Sequence, residues 1–463
     1  MIILVLQIVQ KREGKLIKGL FGNILINKFK CLKKILLFGA GKSATVLIEY
    51  LKKKCLEYTW QLTVADNDLK LVESKLRGAQ YTTAAAIDIN NGEQRMQLIS
   101  QADIVISMLP ASLHFLVAQT CIETGRHLLT ASYVDKNIQT SASLIKEKGL
   151  LFLCEMGLDP GIDHMSAMQL IHRIKNDGGN ITSFYSHCGG LVAPESDDNP
   201  WHYKISWNPK NIILAGKAGA VYKKDDETLS MPYELLFDEN RTIHIPDYEK
   251  YAWYPNRDSL SYSVLYGLER CGTFIRTTLR HPDFCYGWKQ VVALKLTDEV
   301  KRYDTDQLSY RTFFQQHLSH HGLTDNSSPK QKEMLAYLKL YSDDAIGQGV
   351  LSAAEIIQLS AEDRLMLHTK DRDMIIMMHE IMHKESNVHK KISSSLVVKG
   401  DNKLETAMAK TVGLPLGIAA VMILKDEIKL RGLHIPVVPE IYEPVLEELG
   451  KEGIVFREEE IEL

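Results

Sequence analysis

The sequence has little of what marks a disulfide-rich, nucleic-acid-binding or membrane-spanning protein. Its seven cysteines are scattered over 463 residues without a Cys-x-x-Cys pair, which argues against a disulfide framework and indicates reduced thiols in a cytoplasmic protein. The net charge of −3 and the lack of a dense Lys/Arg block exclude a dedicated nucleic-acid binder. Repeats and low-complexity segments are also missing. What remains is an ordinary composition, with 45% hydrophobic residues and enough length for two or three domains.

Residues 1–32 form an N-terminal extension that we expect to be dispensable. Residues 1–9 are apolar but too few to span a bilayer. Basic residues follow this run instead of preceding it, which is the reverse of a signal peptide. No other stretch looks transmembrane, so we expect no membrane partner.

Short apolar runs alternate with helical patterns from residue 33 to residue 157. The predicted strands end at residues 38, 65, 89, 108, 130 and 153, and each is followed by a helix or turn. This alternation predicts an α/β domain of Rossmann type with a doubly wound parallel sheet.

The pattern changes after residue 157. Residues 158–300 mix short strands with loops, which predicts an α+β substrate-binding and dimerisation domain with a mixed sheet. Residues 301–370 are predicted to form a small helical insertion, and residues 371–405 return to the sheet through a hairpin. Residues 406–463 are predicted to be helices that pack back on the earlier domains.

A glycine-rich turn, Gly39-Ala40-Gly41-Lys42-Ser43-Ala44, follows the first predicted strand and opens a helix. Gly39 allows the tight turn, Gly41 lets the backbone approach a pyrophosphate, and the helix N-terminus offers N–H groups to phosphates. Asp66 ends the second strand, where a carboxylate accepts ribose hydroxyls and repels a 2′-phosphate. No arginine stands beside it in the sequence, so Asp66 predicts NAD, with NADP as the alternative.

Three further motifs follow the turn in order: Glu155-Met156-Gly157-Leu158-Asp159-Pro160-Gly161-Ile162-Asp163-His164, Tyr185-Ser186-His187-Cys188-Gly189-Gly190 and Tyr254-Pro255-Asn256-Arg257-Asp258-Ser259. Together with the turn they resemble the glutamate-forming saccharopine dehydrogenases from about residue 33 to 456. The resemblance implies hydride transfer between saccharopine and a nicotinamide cofactor. Hydrolysis of the resulting imine then gives L-glutamate and 2-aminoadipate 6-semialdehyde, in lysine metabolism.

The resemblance places Tyr133, Asp159 and Cys188 around the reacting carbon and nitrogen. A carboxylate such as Asp159 suits the general base and acid work that imine hydrolysis needs, and it is also placed to cap a helix. Tyr133 and Cys188 are expected to position water or the amine.

Saccharopine carries three carboxylates, so its site needs fixed positive charge, and arginine matches a carboxylate with two parallel hydrogen bonds. Arg257 is the leading candidate, helped by Asn256. Further substrate contacts are expected from one strand face and, by the resemblance, from a loop over the substrate: Arg276, Thr278, Arg280, Ser206 and Trp207.

The remaining cofactor contacts are expected along the turn and at the carboxyl ends of the strands, where open α/β sheets bind ligands. They are Lys42, Ser43, Asp88, Ser107, Leu109, Pro110, Ser132 and Leu158. The resemblance implies that Asp88 reaches the adenine amino group. The family commonly has a tyrosine after Pro110, where this chain has Ala111, so any contact by that ring is missing.

The segment His379-Glu380-Ile381-Met382-His383 matches the H-E-x-x-H pattern of zinc proteases. That chemistry needs a helix, a third ligand and an open metal position. The flanking residues are typical of paired strands instead, so we predict no metal site.

Three alternatives to the main reading stay open. The same site could serve an NADPH-dependent saccharopine reductase in lysine biosynthesis, because direction is not encoded in these motifs. A related opine or carboxy-polyamine reductase would use another amine, although the Arg257 cluster argues for a substrate with several carboxylates. A non-catalytic NAD-binding protein has only Ala111 in its favour. We expect a homodimer.

Overall fold

The computed structural model describes residues 32–463, so the predicted extension lies, apart from residue 32, outside the described residues. The first sheet has seven parallel strands: β1 Lys34–Phe38, β2 Gln61–Asp66, β3 Thr82–Ala86, β4 Ile104–Ser107, β5 His127–Thr130, β6 Leu151–Leu153 and β18 Gly432–His434. Their order is β18-β6-β5-β4-β1-β2-β3. The prediction of a doubly wound parallel sheet is therefore confirmed.

Helices cover both faces of this sheet, which is why its central strands are apolar throughout. Along β1, Ile35 and Leu37 belong to one hydrophobic core, while Leu36 and Phe38 belong to another. The helices of this part are α1 Thr45–Tyr58, α2 Leu69–Leu76, α3 Gly92–Ser100, α4 His114–Thr124, α5 Lys136–Thr140 and α6 Ala142–Glu147. Two predicted boundaries were wrong. The third strand ends at Ala86 and not at residue 89, and the helix predicted over residues 137–148 is interrupted at Ser141.

The second sheet is mixed and has ten strands: β7 Asn180–Val192, β8 Ala220–Lys224, β9 Glu227–Met231, β10 Thr242–His244, β11 Lys250–Pro255, β12 Arg257–Asp258, β13 Thr273–Arg280, β16 Asp373–Glu385, β17 Val388–Lys399 and β19 Arg457–Glu462. The main order is β10-β11-β13-β7-β16-β17-β19. Strand β7 pairs in parallel with β13 and antiparallel with β16. The helices here are α7 Ile162–Asn176, α8 Pro209–Ile213, α9 Leu260–Leu265 and α10 Pro282–Ala293. The predicted mixed sheet is confirmed.

Residues 301–370 are mainly helical, as predicted, with α11 Tyr310–His321, α12 Pro329–Tyr337 and α13 Ala353–Arg364 beside the short pair β14 Tyr303–Asp304 and β15 Val350–Leu351. Capping boxes start α12 and α13, where Ser328 and Ser352 accept backbone N–H groups. The hairpin predicted near residues 386–387 is also confirmed, because β16 and β17 flank those two residues. The H-E-x-x-H segment therefore lies in a strand.

The C-terminal region contains α14 Ala407–Leu424 and α15 Pro439–Lys451. Gly413 brings α14 against α1, since a Cβ there would lie 3.0 Å from the backbone nitrogen of Leu47. Among the described residues only α14 is long and apolar enough to cross a membrane, and 83% of it is buried inside the protein, as in a core helix.

The prediction of helices alone for residues 406–463 was incomplete. Strand β18 extends the first sheet and β19 extends the second. Strand β18 has three residues, and β19 is a fully exposed edge strand that is almost entirely charged. Neither gives the apolar alternation that marks a strand in sequence. The division of the chain into domains stays a prediction.

Candidate active site

A buried arginine joins two carboxylates where β13 meets the start of α7. Arg276 Nη2 lies 2.7 Å from Asp159 Oδ1 and 2.7 Å from Asp163 Oδ2. Asp159 stands in the loop before α7, and Asp163 is in its first turn, where it also accepts the N–H of Gly161 at 2.6 Å. One guanidinium thus holds both carboxylates, and this small cluster carries one net negative charge when both are ionised.

The two carboxylates differ in proton affinity. Burial raises the pKa of Asp159 above its ordinary value, against the attraction of Arg276. Burial acts in the same sense on Asp163, but His164, Arg276 and the Gly161 N–H outweigh it and lower the pKa of Asp163. Environments that separate two carboxyl groups in this way assign them different tasks. Asp159 is suited to exchange protons, and Asp163 is suited to remain a fixed anion.

Tyr133 and Cys188, the other two predicted catalytic residues, flank Asp159. The Tyr133 hydroxyl lies 3.4 Å from Asp159 Oδ1, and burial raises the pKa of Tyr133. Cys188 lies on β7 beside Thr278 of β13. Burial, followed by Asp159 and Asp163, raises the pKa of the Cys188 thiol. Both groups therefore stay protonated near neutral pH, and Cys188 is not suited to act as a thiolate nucleophile, which would need a lowered pKa.

The predicted substrate residues of β13 share one face, as strand alternation requires. Arg280 is only 5% exposed. Its Nη1 donates to the carbonyl of Leu279, and its Nε has no partner. Among the described residues no carboxylate forms an ion pair with Arg280, although the buried Tyr254 hydroxyl beside it also lacks a partner. A buried cation without an anion is costly; the predicted role of Arg280 in binding a substrate carboxylate stays a prediction.

Arg257 and Asn256 lie at the rim of the same region. The guanidinium of Arg257 is exposed, stands 5.2 Å from the centre of the Tyr133 ring and, within residues 32–463, forms no ion pair. The backbone N–H of Asn256 donates to the carbonyl of Arg276 at 2.8 Å. The structure thus brings the Tyr-Pro-Asn-Arg motif next to Tyr133 and Asp159, as the predicted substrate role requires.

The loop predicted to cover the substrate packs beside Arg280. The guanidinium of Arg280 lies 5.4 Å from the ring centre of Tyr203, which stands four residues before Trp207. Trp207 touches the hydrophobic cores of both sheets. Ser206 is buried, with 5% of its surface exposed. Both loop residues therefore have packing roles as well as the predicted contact with substrate.

The glycine-rich turn has the geometry that dinucleotide binding needs. At Gly39, φ is +96° and a Cβ would lie 2.9 Å from the carbonyl oxygen of Met108, so only glycine fits. Gly41 faces open space, where a Cβ would meet no protein atom within 4 Å. Ser43 lies in the first turn after it, while Lys42 points elsewhere, with its Nζ 3.8 Å from the sulfur of Met366.

Asp66 sits at the turn but is not a free carboxylate. Its Oδ2 accepts the N–H of Ala40 at 2.7 Å and its Oδ1 accepts the N–H of Asp68 at 3.1 Å. Lys75 of α2 donates to the carbonyl of Gly41 at 2.6 Å. Burial lowers the pKa of Lys75 to about 8, and Asp66 acts in the opposite direction. The sequence analysis missed this cation because it arrives from the last turn of the next helix.

A second missed residue, His114, joins the ends of β4 and β5. Its Nδ1 lies 2.8 Å from Ser107 Oγ, and its Nε2 lies 2.8 Å from Ser132 Oγ. Burial lowers the pKa of His114 to about 4, so the ring is neutral. The two serines predicted to contact the cofactor are therefore held by one imidazole.

The other predicted cofactor residues are less constrained. Asp88 lies in an exposed turn beyond β3, where its Oδ1 accepts the N–H of Asn90 at 3.0 Å. Leu109 and Pro110 follow β4, and Leu158 is buried in the loop before α7. All four lie after strands of the first sheet, but the structure shows no contact that assigns them a role.

Behind the Asp159 cluster lies a buried network that the sequence analysis did not identify. Glu155 Oε2 lies 2.9 Å from His164 Nε2 and accepts the Tyr262 hydroxyl at 3.0 Å. The other nitrogen of His164 bonds to the Tyr266 hydroxyl at 2.6 Å. Glu155 and His164 are the first and last residues of the motif that carries Asp159. Two ionisable residues at the ends of this motif were the sequence signal that could have indicated the network.

The sequence matches two family models. Residues 35–153 match the saccharopine dehydrogenase NADP binding domain, and residues 157–454 match the saccharopine dehydrogenase C-terminal domain. The chain therefore belongs to the saccharopine dehydrogenase family. The resemblance found in the motifs is confirmed.

Curated relatives agree with this assignment. The alpha-aminoadipic semialdehyde synthase of Arabidopsis thaliana is 33% identical over 427 residues, which are 85% of this chain and 40% of that protein. The mitochondrial alpha-aminoadipic semialdehyde synthase of Bos taurus is 31% identical over 92% of this chain and 47% of that protein. The chain thus spans less than half the length of these two relatives. The saccharopine dehydrogenase [NADP(+), L-glutamate-forming] of Saccharomyces cerevisiae is 29% identical over 93% of this chain and 99% of that protein.

Solved structures share the fold. Saccharopine dehydrogenase (L-Glu forming) from Saccharomyces cerevisiae superposes with a TM-score of 0.83 at 28% identity and covers 93% of this chain and 100% of that one. Homospermidine synthase from Legionella pneumophila has a TM-score of 0.53 at 11% identity over 93% of this chain and 91% of that one. The second likeness shows a common fold alone.

Proposed function

We propose that this chain is a glutamate-forming saccharopine dehydrogenase. Its substrate is a secondary amine with three carboxylates, and its products are L-glutamate and 2-aminoadipate 6-semialdehyde. One observation carries the proposal: the buried Arg280 has no carboxylate partner in the described chain and shares a strand face with Arg276, which holds Asp159. An anionic substrate would supply the missing partner of Arg280 and lie beside an acid–base carboxylate.

The charged groups divide the work of binding. Arg280 takes one substrate carboxylate in the buried part of the site, where a paired charge is strong and specific. Arg257 and Asn256 take another at the rim, next to Tyr133. Trp207 and Ser206 close the covering loop over the substrate and exclude water from the reacting centre.

The chemistry of hydrolysis follows from Asp159. A bound nicotinamide would supply the hydride acceptor, and loss of a hydride from the carbon next to the secondary nitrogen would leave a protonated imine. Asp159 then removes a proton from the water that attacks the imine carbon, and returns it to the nitrogen that leaves. When the C–N bond breaks, Asp159 accepts the proton of the carbinolamine hydroxyl. Asp163 keeps Arg276 in place during these steps, and the neutral Tyr133 hydroxyl donates to Asp159 or to the water.

The cofactor proposal needs revision toward NADP. Asp66 alone predicts NAD, but the matching family domain and the yeast relative are both named for NADP, which does not support NAD as the first choice. Asp66 would repel a 2′-phosphate most strongly as a free carboxylate without a cation nearby. Asp66 already accepts two backbone N–H groups, and Lys75 is close enough to interact with its charge. We therefore propose NADP as the cofactor, with NAD as the alternative.

The experiment is a turnover assay of the purified full chain with saccharopine and each oxidised cofactor. We expect reduced cofactor, glutamate and semialdehyde in equal amounts. Turnover of a carboxy-polyamine but not of saccharopine would contradict the proposed substrate. Tight cofactor binding without turnover of either would favour a non-catalytic protein. The reverse reaction, started from the products and reduced cofactor, tests the biosynthetic alternative.

Two further proposals complete this picture. A homodimer is expected and is tested by analytical ultracentrifugation. A cytoplasmic location is also expected, although the bovine relative is named mitochondrial, and fluorescence imaging of the tagged chain tests it.

A further inference from the structure

Two histidines and one carboxylate converge at the start of α10. One ring nitrogen each from His202 and His281 and one carboxylate oxygen of Asp283 lie within 4.8 Å of one another. The two imidazole rings stack with their centres 4.0 Å apart. His202 Nε2 lies 3.2 Å from Asp283 Oδ2. Three donor atoms at such separations can bind one ion at metal–ligand bonds of about 2.0–2.2 Å.

A fourth residue, Asp197, bonds to the ring nitrogen of His202 that does not face Asp283. His202 Nδ1 lies 2.7 Å from Asp197 Oδ2. Metal-binding histidines usually donate their other ring N–H to a carboxylate in this way, which fixes the tautomer. With the proton on Nδ1, the lone pair of Nε2 faces Asp283 Oδ2 at 3.2 Å, and a metal ion between these two acceptors would satisfy both.

Asp283 keeps one carboxylate oxygen for such a cation, and His281 would bind it in place of a helix-cap bond. Lys330 pairs with Asp283 through Oδ1, which leaves Oδ2 for the histidine side. His281 Nδ1 lies 4.0 Å from Asp283 Oδ2 and accepts the Asp283 N–H at 3.1 Å as a helix cap, so an ion bound at this nitrogen replaces that hydrogen bond. Asp197 and Glu249 also act electrostatically on His281. With Asp283, three carboxylates and one lysine, Lys330, surround the two histidines, so the negative charges are more numerous than the positive one.

We propose that His202, His281 and Asp283 bind one divalent transition-metal ion of the zinc type. Imidazole with carboxylate suits such an ion better than calcium or magnesium, which prefer oxygen ligands alone. The side chains of His202 and Asp283 are 34% and 25% exposed, so an ion enters from solvent and keeps water in a remaining position.

The position of the site gives the ion a structural task. His202 lies four residues before Ser206 in the covering loop, and His281 directly follows Arg280 at the end of β13. An ion would therefore fasten the loop to the strand that carries the arginine. This binding site is independent of the proposed reaction, because none of its three ligands is assigned a role in that reaction.

The test is metal binding by the full chain, first stripped with a chelator. Calorimetry with Zn²⁺ alone is expected to show one equivalent, and Co²⁺ is expected to give visible absorption of a coordinated ion. His202→Gln and His281→Asn should each weaken binding at least tenfold, and the asparagine keeps the helix cap. Asp197→Asn should weaken it about 10–100-fold, as expected for a group that orients a ligand.

His389→Ala is the matched control, since it removes an exposed histidine elsewhere and should leave binding unchanged. Circular dichroism verifies that each variant is folded. The proposal is overturned if the wild type takes up no Zn²⁺, or if the two ligand variants bind it as well as the control does. A wild type in which His202 holds two protons and excludes Zn²⁺ would also overturn it, and NMR of the imidazole detects that state.

Discussion

Arg276 donates a 2.7 Å hydrogen bond to Asp159 across 117 residues of sequence. The same nitrogen reaches Asp163, so the acid–base candidate and the fixed carboxylate share one cation. This sharing leaves Asp159 with less stabilisation of its charge than an undivided pair would give, and burial raises its pKa. The arrangement supplies a carboxyl group that exchanges protons more readily than its neighbour.

Asp159→Ala should therefore lower kcat by about 10²–10⁴-fold, the range expected for a positioned general base. Cofactor affinity should barely change, because Asp159 contributes to the substrate side of the site. Steady-state kinetics and cofactor titration measure the two effects. Asp225→Asn, an exposed aspartate with left-handed backbone that asparagine tolerates, is the control. Near-normal kcat with only reduced thermal stability would mean that Asp159 merely caps and braces the loop.

Arg280→Met separates substrate binding from stability. Removing the partner of a buried substrate carboxylate should cost roughly 2–5 kcal/mol in kcat/KM. Thermal stability should be maintained, because the free protein holds this guanidinium without a carboxylate partner in the described chain. Arg257→Met should act on saccharopine in the same direction but less strongly, since its side chain is exposed. Normal saccharopine kinetics in Arg280→Met would show that the arginine serves packing against Tyr203.

Lys75→Met tests how the cofactor is chosen. If Lys75 offsets the charge of Asp66, its loss should lower kcat/KM for NADP several-fold more than for NAD. The ratio of the two values is the readout, because damage to the glycine-rich turn would reduce both together. Asp66→Ser combined with Asn67→Arg should move the ratio the opposite way, toward NADP. A wild type that prefers NAD, with an unchanged ratio in Lys75→Met, would restore the original prediction from Asp66.

Local patterns allowed the first sheet, the glycine-rich turn and the β16–β17 hairpin to be predicted. Each depends on neighbours within a few residues: an apolar run, a strained glycine or a two-residue turn. Asp159, Tyr133 and Cys188 were found through the resemblance of motifs, and the structure brings them together. Their chemical roles stay predictions.

Several of the missed features depend on parts of the chain that are distant in sequence. Arg276 was predicted as a substrate ligand, and its bonds to two carboxylates more than 110 residues away have no local signal. Lys75 lies 34 residues from Gly41, and His114 joins the ends of two strands that only the folded sheet brings together. The strand β19 is charged at every position except Ile461 and forms a sheet edge, and charged residues are one way in which proteins protect such edges.

Buried neutral histidines should make stability depend on pH. Burial lowers the pKa of His114, His317 and His379 to about 4, whereas an unfolded histidine titrates near 6.5. Between those values the unfolded chain binds protons that the folded chain does not. The free energy of unfolding should therefore fall as pH drops from about 6.5 to 4, by about 1–2 kcal/mol per histidine at pH 5.

His317 offers the cleanest test of this pH dependence. Its ring is fully buried and bonds to the Tyr303 hydroxyl at 2.7 Å and to the Leu294 carbonyl at 2.8 Å. His317→Gln removes one titrating group, so the loss of stability between pH 7 and pH 5 should shrink by about 1–2 kcal/mol. His320→Gln changes an exposed histidine of the same helix and should keep the wild-type dependence. Urea unfolding at both pH values measures the difference, and equal slopes in the two variants would mean that His317 already carries a proton at pH 5 in the folded protein.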